Sequence, residues 1–312
     1  MRPRGKPRGS FFLGADVREK QSIGLGICIG LGGAVCLLLA IRWIRPQEKG
    51  HPSVPVTLTS ACGIIRWHHE QAGVGFFVRA EGRRTNTCFV TAAHVINDVA
   101  RREGKQDFIL QVWVSQKGGD GAAACPVPCN PRTLSVLPDA DLAVVILEPG
   151  VVSEGSGYGV TPLVVPVAGR GFNKRSPAIL TRALRKAMGI RVGDDLFMLT
   201  ALPCDPSLLS AGFFPVVFRK GSLAFIKEQG GDMKSDVMMA DCPSFKGSSG
   251  SPVFAVVMRP DRGSEGRKEA HLLGVATDAL TVRGHVAQEN SGLTGLAPVD
   301  GLFTWLQQRD MK

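Results

Sequence analysis

The chain has 312 residues, of which 44% are hydrophobic and 21% charged, and its formal net charge at pH 7 is +10. This composition is typical of a folded globular protein and excludes disorder of the whole chain. Residues 1–50 hold nine Lys/Arg and three Asp/Glu and supply +6 of the net charge, which leaves +4 (28 − 24) for the rest. That small remainder gives no indication of a nucleic-acid partner.

The first predicted element is a transmembrane helix at residues 21–44. Residues 21–41 contain no charged side chain, and as a helix they would be about 30 Å long, the thickness of a bilayer's hydrocarbon core. A basic tail (1–20) precedes the span and a polar, proline-containing tether (45–55) follows it. A cleaved signal peptide is the alternative, but the apolar stretch is long and bulky, basic residues follow it.

The charges that flank the span predict its orientation. Six Lys/Arg precede the uncharged stretch 21–41 and three follow it, and such a bias favours a cytoplasmic N-terminus. The rest of the chain would then lie on the extracytoplasmic side, in a periplasm or outside the cell.

Beyond residue 55, short apolar runs alternate with turn residues, a pattern that predicts an all-β barrel or sandwich. The glycine- and serine-rich stretch 148–159 predicts a surface linker between two halves. Helical periodicity is found mainly after His94, within 169–193 and at 299–307. The predicted strands are residues 63–67, 74–78, 88–91, 108–114, 142–147, 163–167, 196–200, 213–218, 223–226, 253–257 and 272–277.

Residues 169–193 carry seven Lys/Arg and no acid. One interpretation is a solvated loop and a short helix, with Ser176 as its cap, Pro177 in its first turn and Gly189 at its end. The other is a surface for anionic lipid headgroups or an acidic partner.

Six cysteines lie beyond the predicted span. The spacing of Cys125 and Cys129 could close a small disulfide outside the cytoplasm, or the two could nucleate a metal site. No metal site is predicted, because a second pair at ligand spacing is missing. His68 and His69 are adjacent on a predicted strand and would point to opposite faces.

A serine-containing turn precedes the predicted strand 253–257. Residues 247–252 read Gly-Ser-Ser-Gly-Ser-Pro, and the glycines permit backbone geometry that is closed to other residues. Ser249 would be presented on this turn, with neighbouring N–H groups free to point at a developing oxyanion. A serine hydroxyl also needs a base to become a nucleophile.

Two upstream motifs supply a candidate base and a candidate buried carboxylate. Thr-Ala-Ala-His ends at His94, and Asp-Leu-Ala-Val-Val begins at Asp141. With the turn at 247–252, these motifs stand in the order His, Asp, Ser and resemble the trypsin-like serine peptidases. Gly-Val-Gly-Phe at 73–76 is similar to the family's early glycine-rich strand.

The resemblance covers roughly residues 56–307 and is nearer to bacterial trypsin-like and high-temperature-requirement-type members than to digestive enzymes. Ser248 stands where digestive members have an acid, Val95 replaces their cysteine, and an Ile-Val-Gly-Gly start is missing. Activation by propeptide cleavage is therefore not expected.

This resemblance implies two six-stranded antiparallel β-barrels, at 56–148 and 163–307, with a linker at 149–162 and a C-terminal helix. It implies that Ser249 is the nucleophile, His94 the general base and Asp141 the residue that orients it. Backbone N–H groups of Gly247 and Ser249 would form the oxyanion hole. No cofactor is expected.

By the same resemblance, Pro243 would line the pocket for the side chain that precedes the scissile bond. Pro243 carries no charge, so a small or apolar side chain is expected, although Asp241 or Asp278 could reach in. The other lining residues would be Thr277, Asp278 and Ala279.

Competing candidates are weaker. Asp139 would share a strand face with Asp141, but only Asp141 directly precedes Leu-Ala-Val. In the family that the motifs resemble, the position of Ser248 is variable and the position of Ser251 is usually filled by glycine. The remaining histidines are predicted to be surface or packing residues: His51, His68, His69, His271 and His285.

The sequence thus predicts a membrane-anchored serine endopeptidase that acts on proteins or peptides, with its oligomeric state left open. One alternative is a catalytically silent peptidase-like domain that binds extended peptides or partner proteins by strand addition. Another is an esterase with the same triad.

Overall fold

The computed structural model describes most of residues 56–310. Its gaps are residues 69, 81–85, 118–120, 138–139, 153–155, 166–178, 205, 212–213, 229–235, 260–266 and 284–287. The predicted tail, membrane span and tether (1–55) lie outside the described residues. Within the described part, none of the helices has the length and apolar character needed to cross a membrane.

The first half of the described chain forms one eight-stranded sheet. Seven strands pair antiparallel in the order β5-β4-β1-β2-β3-β7-β6, and β8 adds to β2 in parallel. Helix α1 (Val56–Thr59) precedes the sheet and α2 (Ala93–Glu103) follows β3. The strands are β1 (Cys62–Trp67), β2 (Glu70–Ala80), β3 (Cys88–Ala92), β4 (Phe108–Ser115), β5 (Ala122–Cys129), β6 (Leu134–Leu137), β7 (Leu142–Ile146) and β8 (Leu163–Val165).

This sheet corrects the prediction of a closed, six-stranded first barrel. Among the described residues it has two further strands and does not close on itself. The sequence pattern missed β5 because Pro126 and Pro128 lie within it. Since β4 is the only partner of β5 among the described strands, β5 is an edge strand there, where proline is tolerated. The predicted strand at 163–167 pairs with β2 of this sheet.

The second half forms a closed barrel of six antiparallel strands, which confirms that part of the prediction. Their order is β10-β11-β14-β13-β12-β9. Helices α3 (Arg182–Ala187) and α4 (Pro206–Ser210) lie among these strands, and α5 (Asp300–Asp310) forms the predicted C-terminal helix. The strands are β9 (Asp195–Ala201), β10 (Val216–Lys227), β11 (Val237–Asp241), β12 (Pro252–Arg259), β13 (Arg267–Arg283) and β14 (Gln288–Pro298).

One hydrophobic core joins the two halves. Phe76 and Val144 of the first sheet pack with Phe254 and Val275 of the barrel, and Leu302 of α5 closes the cluster. All five side chains are at most 1% exposed. Because interiors pack at crystal-like density, this shared core holds the two halves in one relative orientation.

The disulfide that the spacing of Cys125 and Cys129 left possible is not formed. Both cysteines are free thiols and both are buried. They stand four residues apart on the extended strand β5, opposite Val112 and Phe108 of β4, which separates their Cα atoms by about 13 Å. A disulfide requires a Cα separation below about 7 Å.

Three cations of the basic segment 169–193 form ion pairs with carboxylates from elsewhere in the fold. Arg185 is 3% exposed and forms an ion pair with Asp236, itself 9% exposed. Glu228 accepts from Lys186 Nζ at 2.6 Å and from Arg182 Nη2 at 3.0 Å, and these bonds lower the pKa of the Glu228 carboxyl. These three cations therefore have partners in the fold and do not form a free cationic surface.

Helix α3 also begins later than the sequence indicated. Its cap is Thr181, whose Oγ1 accepts from the N–H of Leu184 at 3.4 Å. A second acceptor comes from α5, where Asp300 Oδ1 lies 2.7 Å from the N–H of Arg182. Gly189 follows the helix with φ of +69°, as the pattern predicted. Ser176 and Pro177 lie outside the described residues.

Candidate active site

A cleft of about 220 Å³ lies between the first sheet and the turn that carries Ser249. His94 and Val95 of α2 contribute one wall, and Gly247 and Ser249 contribute another. The structure thus brings the predicted base and the predicted nucleophile to the same cleft, although they are 155 residues apart (249 − 94) in the sequence.

His94 is placed by the junction between β3 and α2. In the β3–β7 ladder, Ala92 pairs with Leu142, so Asp141 comes to rest beside the first turn of α2. There its backbone carbonyl accepts from the N–H of Ala93 at 3.1 Å, and Oδ1 accepts from the N–H of His94 at 2.9 Å. Asp141 therefore caps the helix, and its negative charge is favoured at a helix N-terminus.

The second carboxylate oxygen of Asp141 holds the imidazole. Oδ2 lies 2.5 Å from Nδ1 of His94, and the two side chains are 34% and 35% exposed. Because an ionised carboxylate only accepts, this contact selects the tautomer with the proton on Nδ1. Nε2 is then the basic nitrogen of His94.

Backbone bonds fix the turn that carries Ser249. The N–H of Val74 donates to the carbonyl of Ser249 at 2.8 Å, and the N–H of Gly250 donates to the carbonyl of Ala276 at 2.7 Å. Gly250 has φ of +89°, and a Cβ added to it would lie 1.8 Å from the carbonyl oxygen of Val74. Only glycine fits this approach.

Gly73 is a second glycine that the close packing around the Ser249 turn requires. A Cβ at Gly73 would meet the carbonyl oxygen of Ser249 at 2.9 Å and a methyl of Val95 at 2.9 Å. The Gly-Val-Gly-Phe motif therefore lets β2 lie directly against the nucleophile turn.

The hydroxyl of Ser249 donates to the carbonyl oxygen of Thr277 at 2.5 Å. A hydroxyl carries one proton, so in this conformation Ser249 does not donate to His94. Among the hydrogen bonds of the described residues, none uses the backbone N–H of Gly247 or of Ser249 as a donor. These amides are the two that the sequence assigns to an oxyanion hole.

The residues predicted to line the substrate pocket precede and follow the Ser249 turn in the chain. Pro243 is exposed, and its carbonyl accepts from Arg219 Nη1 at 2.9 Å. The Arg219 guanidinium also lies 4.5 Å from the ring centroid of Phe245, a contact that sequence reasoning missed. Thr277 contacts Ser249, whereas the side chains of Asp278 and Ala279 lie outside the described ones.

The other serines and histidines that were weighed as candidates lie in different environments. Ser248 is 2% exposed and its Oγ accepts from the N–H of Phe245 at 3.2 Å, while Ser251 is fully buried. His68 is an exposed turn residue and His271 is buried in the barrel. Asp139, His51, His69 and His285 lie outside the described residues.

Sequence reasoning also missed Gln71. Its Nε2 donates to the carbonyl of Gly247 at 2.9 Å, so it contacts the nucleophile turn directly. The only available signal was its position, two residues before the Gly-Val-Gly-Phe motif.

The buried thiols of Cys125 and Cys129 are not reactive nucleophiles. Burial raises the pKa of Cys125 to about 11 and that of Cys129 to about 12, which removes the thiolate form near neutral pH. Within the described part of the chain, no cluster of three or more His, Cys, Asp or Glu could hold a metal ion.

Two solved structures superpose weakly on this chain. An "HtrA-type protease AlgW with decapeptide" is 15% identical with a TM-score of 0.39, covering 77% of this chain and 52% of its own. The "Rv3671c protease, inactive form" is 16% identical with a TM-score of 0.39, covering 80% and 89%. The chain thus spans about half the length of the first structure.

Comparison with curated proteins finds no match. The family model described as "Trypsin-like peptidase domain" matches residues 73–257, which is more than half of the chain and includes His94, Asp141 and Ser249. The resemblance seen in the motifs is thereby confirmed, and the chain belongs to the trypsin-like peptidase domain family.

Proposed function

We propose that the protein is a serine endopeptidase that hydrolyses peptide bonds in protein or peptide substrates. The observation that carries this proposal is the double contact of Asp141 with His94, on the wall of a cleft that Ser249 also lines. A histidine whose tautomer is held by a carboxylate, beside a serine on a tight turn, is the arrangement that activates a hydroxyl.

In the first step the hydroxyl of Ser249 leaves the carbonyl of Thr277 and turns towards Nε2 of His94. Nε2 then takes the hydroxyl proton while Oγ bonds to the substrate carbonyl carbon. Asp141 stabilises the imidazolium through its contact with Nδ1–H.

The negative charge that develops on the substrate oxygen is bound by the N–H groups of Gly247 and Ser249. Loss of one such donor costs about 3 to 4 kcal/mol of transition-state stabilisation. The imidazolium gives its proton to the leaving amine as the C–N bond breaks, which leaves an ester on Ser249. Water, deprotonated by His94, then cleaves the ester and restores the hydroxyl.

The residues near Pro243 set the expected substrate preference. Neither Pro243 nor the carbonyl of Thr277 offers a negative charge, and the Arg219 guanidinium lies beside Pro243. A Lys or Arg side chain before the scissile bond would meet this cation. We therefore keep the expectation of a small or apolar side chain at that substrate position.

The membrane anchor at 21–44 remains part of the proposal on sequence grounds, with the peptidase domain outside the cytoplasm. Such a location is oxidising, yet the described cysteines are free thiols. Most of these thiols are buried, and their burial is compatible with that location because a buried thiol with a raised pKa reacts slowly.

A second candidate function is a catalytically silent domain that binds extended peptides. The contact between Ser249 Oγ and Thr277 O favours it, because the hydroxyl donates its proton to that carbonyl and not to His94. An esterase with the same triad differs from a peptidase only in the bond it cleaves.

Labelling with a fluorophosphonate tests the proposal. The purified full-length protein in detergent is expected to label, and Ser249→Ala and His94→Ala are each expected to abolish labelling. Ser251→Ala is the matched control, since its buried Oγ has no hydrogen-bond partner among the described residues. A folded, unmodified protein that stays unlabelled would favour the silent binding domain. Cleavage of casein then separates a peptidase from an esterase.

A further inference from the structure

Gln71 links three parts of the fold through one side-chain amide. It lies on β2 and is half-buried, and its Nε2 donates to the carbonyl of Gly247 at 2.9 Å and to that of Ala201 at 3.3 Å. Gly247 is 176 residues away in the sequence and Ala201 is 130 residues away. The first sheet, the nucleophile turn and the end of β9 therefore meet at this amide.

A β-bulge lies directly after Gln71 in β2. In the hairpin of β1 and β2, Ile65 pairs with Gly73 while Arg66 pairs with Gln71, so Ala72 is the extra residue. A bulge bends its strand and redirects the neighbouring side chains, and bulges are frequent next to active sites. The bulge puts Gln71 out of register with the rest of β2, and the side chain of Gln71 contacts the turn at Gly247.

Gly247 is the residue of the turn that most needs such a contact. Its φ is +89° and it has no side chain to restrict it. Its neighbours are held by backbone bonds: the carbonyl of Ser249 accepts from Val74, and the N–H of Gly250 donates to Ala276. The carbonyl of Gly247 accepts from Gln71.

The orientation of this carbonyl bears on the proposed chemistry. A hydrogen bond to the carbonyl of Gly247 restricts rotation of that residue, and its N–H is one of the two amides assigned to the oxyanion. The packing is close as well, because a Cβ at Gly247 would lie 3.0 Å from Cγ of Gln71. Donors that are oriented before the reaction stabilise the transition state without reorganisation.

We infer that Gln71 is a positioning residue, which holds Gly247 so that its N–H faces the reacting carbonyl. This inference rests on the proposed peptidase function. Gln71 also lines the cleft, but its amide donates to the carbonyls of Gly247 and Ala201 and not to His94 or Ser249, so we assign its effect on the reaction to the contact with Gly247.

The test measures fluorophosphonate labelling of the full-length protein as a function of probe concentration. Gln71→Ala is expected to lower the limiting labelling rate about tenfold, less than the roughly hundredfold or larger loss caused by removal of an oxyanion donor. The half-saturating probe concentration is expected to stay unchanged. Gln111→Ala is the control, because Gln111 is exposed on β4 and should label at the unmodified rate.

Gln71→Glu supplies a readout that a purely structural role would not move. Its ionised carboxylate cannot donate to the carbonyl of Gly247, whereas the protonated acid can. The rate relative to the unmodified protein is therefore expected to rise as the pH falls from about 8 to about 5. A ratio that stays flat with pH overturns the inference, and this variant decides the question if Gln71→Ala does not fold.

Amide hydrogen exchange gives a test that does not depend on activity. The peptide covering residues 245–250 is expected to exchange faster in Gln71→Ala than in the unmodified protein. Equal labelling of Gln71→Ala and the unmodified protein overturns the inference alone. An unmodified protein that does not label overturns the peptidase function, and unchanged exchange at residues 245–250 then removes the positioning role as well.

Discussion

Asp141 has two separate roles in the candidate site. One oxygen accepts from the backbone N–H of His94 and so caps α2, and the other contacts Nδ1 of the ring. The backbone and the imidazole of His94 are therefore held by one carboxylate, and its own position follows from the β3–β7 register.

Asp141→Asn is expected to lower kcat on a peptide substrate by about 10³ to 10⁴. The asparagine amide retains one acceptor for the helix cap but can present a donor to Nδ1, which selects the wrong tautomer. Thermal unfolding should change little. Asp139→Asn is the matched control, and a large loss in that variant with full activity in Asp141→Asn would reverse the assignment.

Gly250→Ala is expected to lower the free energy of unfolding by more than about 3 kcal/mol. Its positive φ and the 1.8 Å approach to the carbonyl of Val74 leave no room for a methyl group. Gly189→Ala is the matched control, since its φ is also positive but open space surrounds it. Its cost should be about 1 to 2 kcal/mol, measured by urea denaturation, and equal losses in the two variants would contradict the packing explanation.

Ion pairs connect helix α3 to the barrel. Arg185 extends from the helix into the protein and pairs with Asp236, just before β11, and its Nη1 also lies 2.9 Å from Sδ of Met238. Arg182 and Lys186 pair with Glu228 after β10 and are 36% and 58% exposed, and Arg182 Nη1 also lies 3.8 Å from Oδ1 of Asp236. The buried pair and the exposed pairs should therefore differ in their contribution to stability.

Arg185→Ala is expected to lower the free energy of unfolding by about 3 to 5 kcal/mol, because it removes the buried guanidinium that pairs with the buried Asp236 carboxylate. Lys186→Ala removes an exposed cation that pairs with Glu228 and should cost less than about 1 kcal/mol. Chemical denaturation of the two variants measures both values. A loss in Lys186→Ala as large as that in Arg185→Ala would contradict the distinction.

Strand β5 determines the state of two cysteines. A thiol reagent at about pH 8 is expected to leave Cys125 and Cys129 unmodified in the folded protein and to label both after unfolding, because burial suppresses their thiolate forms. Mass spectrometry of the labelled peptides measures this. A disulfide-linked Cys125–Cys129 peptide from the native protein would show that β5 is not extended there.

The candidate site of the whole protein depends on both halves of the described chain. The base on α2 and its carboxylate before β7 belong to the first half, while the nucleophile turn before β12 belongs to the second. The shared core of Phe76, Val144, Phe254, Val275 and Leu302 sets their relative position. A loss of packing in this core should therefore reduce activity even where none of the site residues is changed.

Deletion of residues 1–44 is expected to move the protein from the membrane fraction to the soluble fraction, because the predicted span would be removed. Fluorophosphonate labelling should be retained, since the described site lies beyond residue 55. Fractionation followed by carbonate extraction measures the change. Full-length protein that is already released by carbonate would contradict the proposed anchor.

Local patterns in the sequence determined the β-rich class, the C-terminal helix and the three motifs that meet at the cleft, and the barrel of the second half was implied by the family resemblance that those motifs carry. These properties are readable because strand periodicity and a Gly-rich turn are expressed by neighbouring residues. The glycines at 73 and 250 were informative for the same reason, since each marks a close backbone approach.

Only the tertiary structure decided the open first sheet, the reduced state of Cys125 and Cys129, and the burial of Arg185 against Asp236. It also decided that Gln71 contacts Gly247 and that Ser249 donates to Thr277. Each of these depends on a contact between residues far apart in the chain, or on the direction of one side chain. Such contacts are set by the packing of the whole molecule, and they leave no periodic signal in the local sequence.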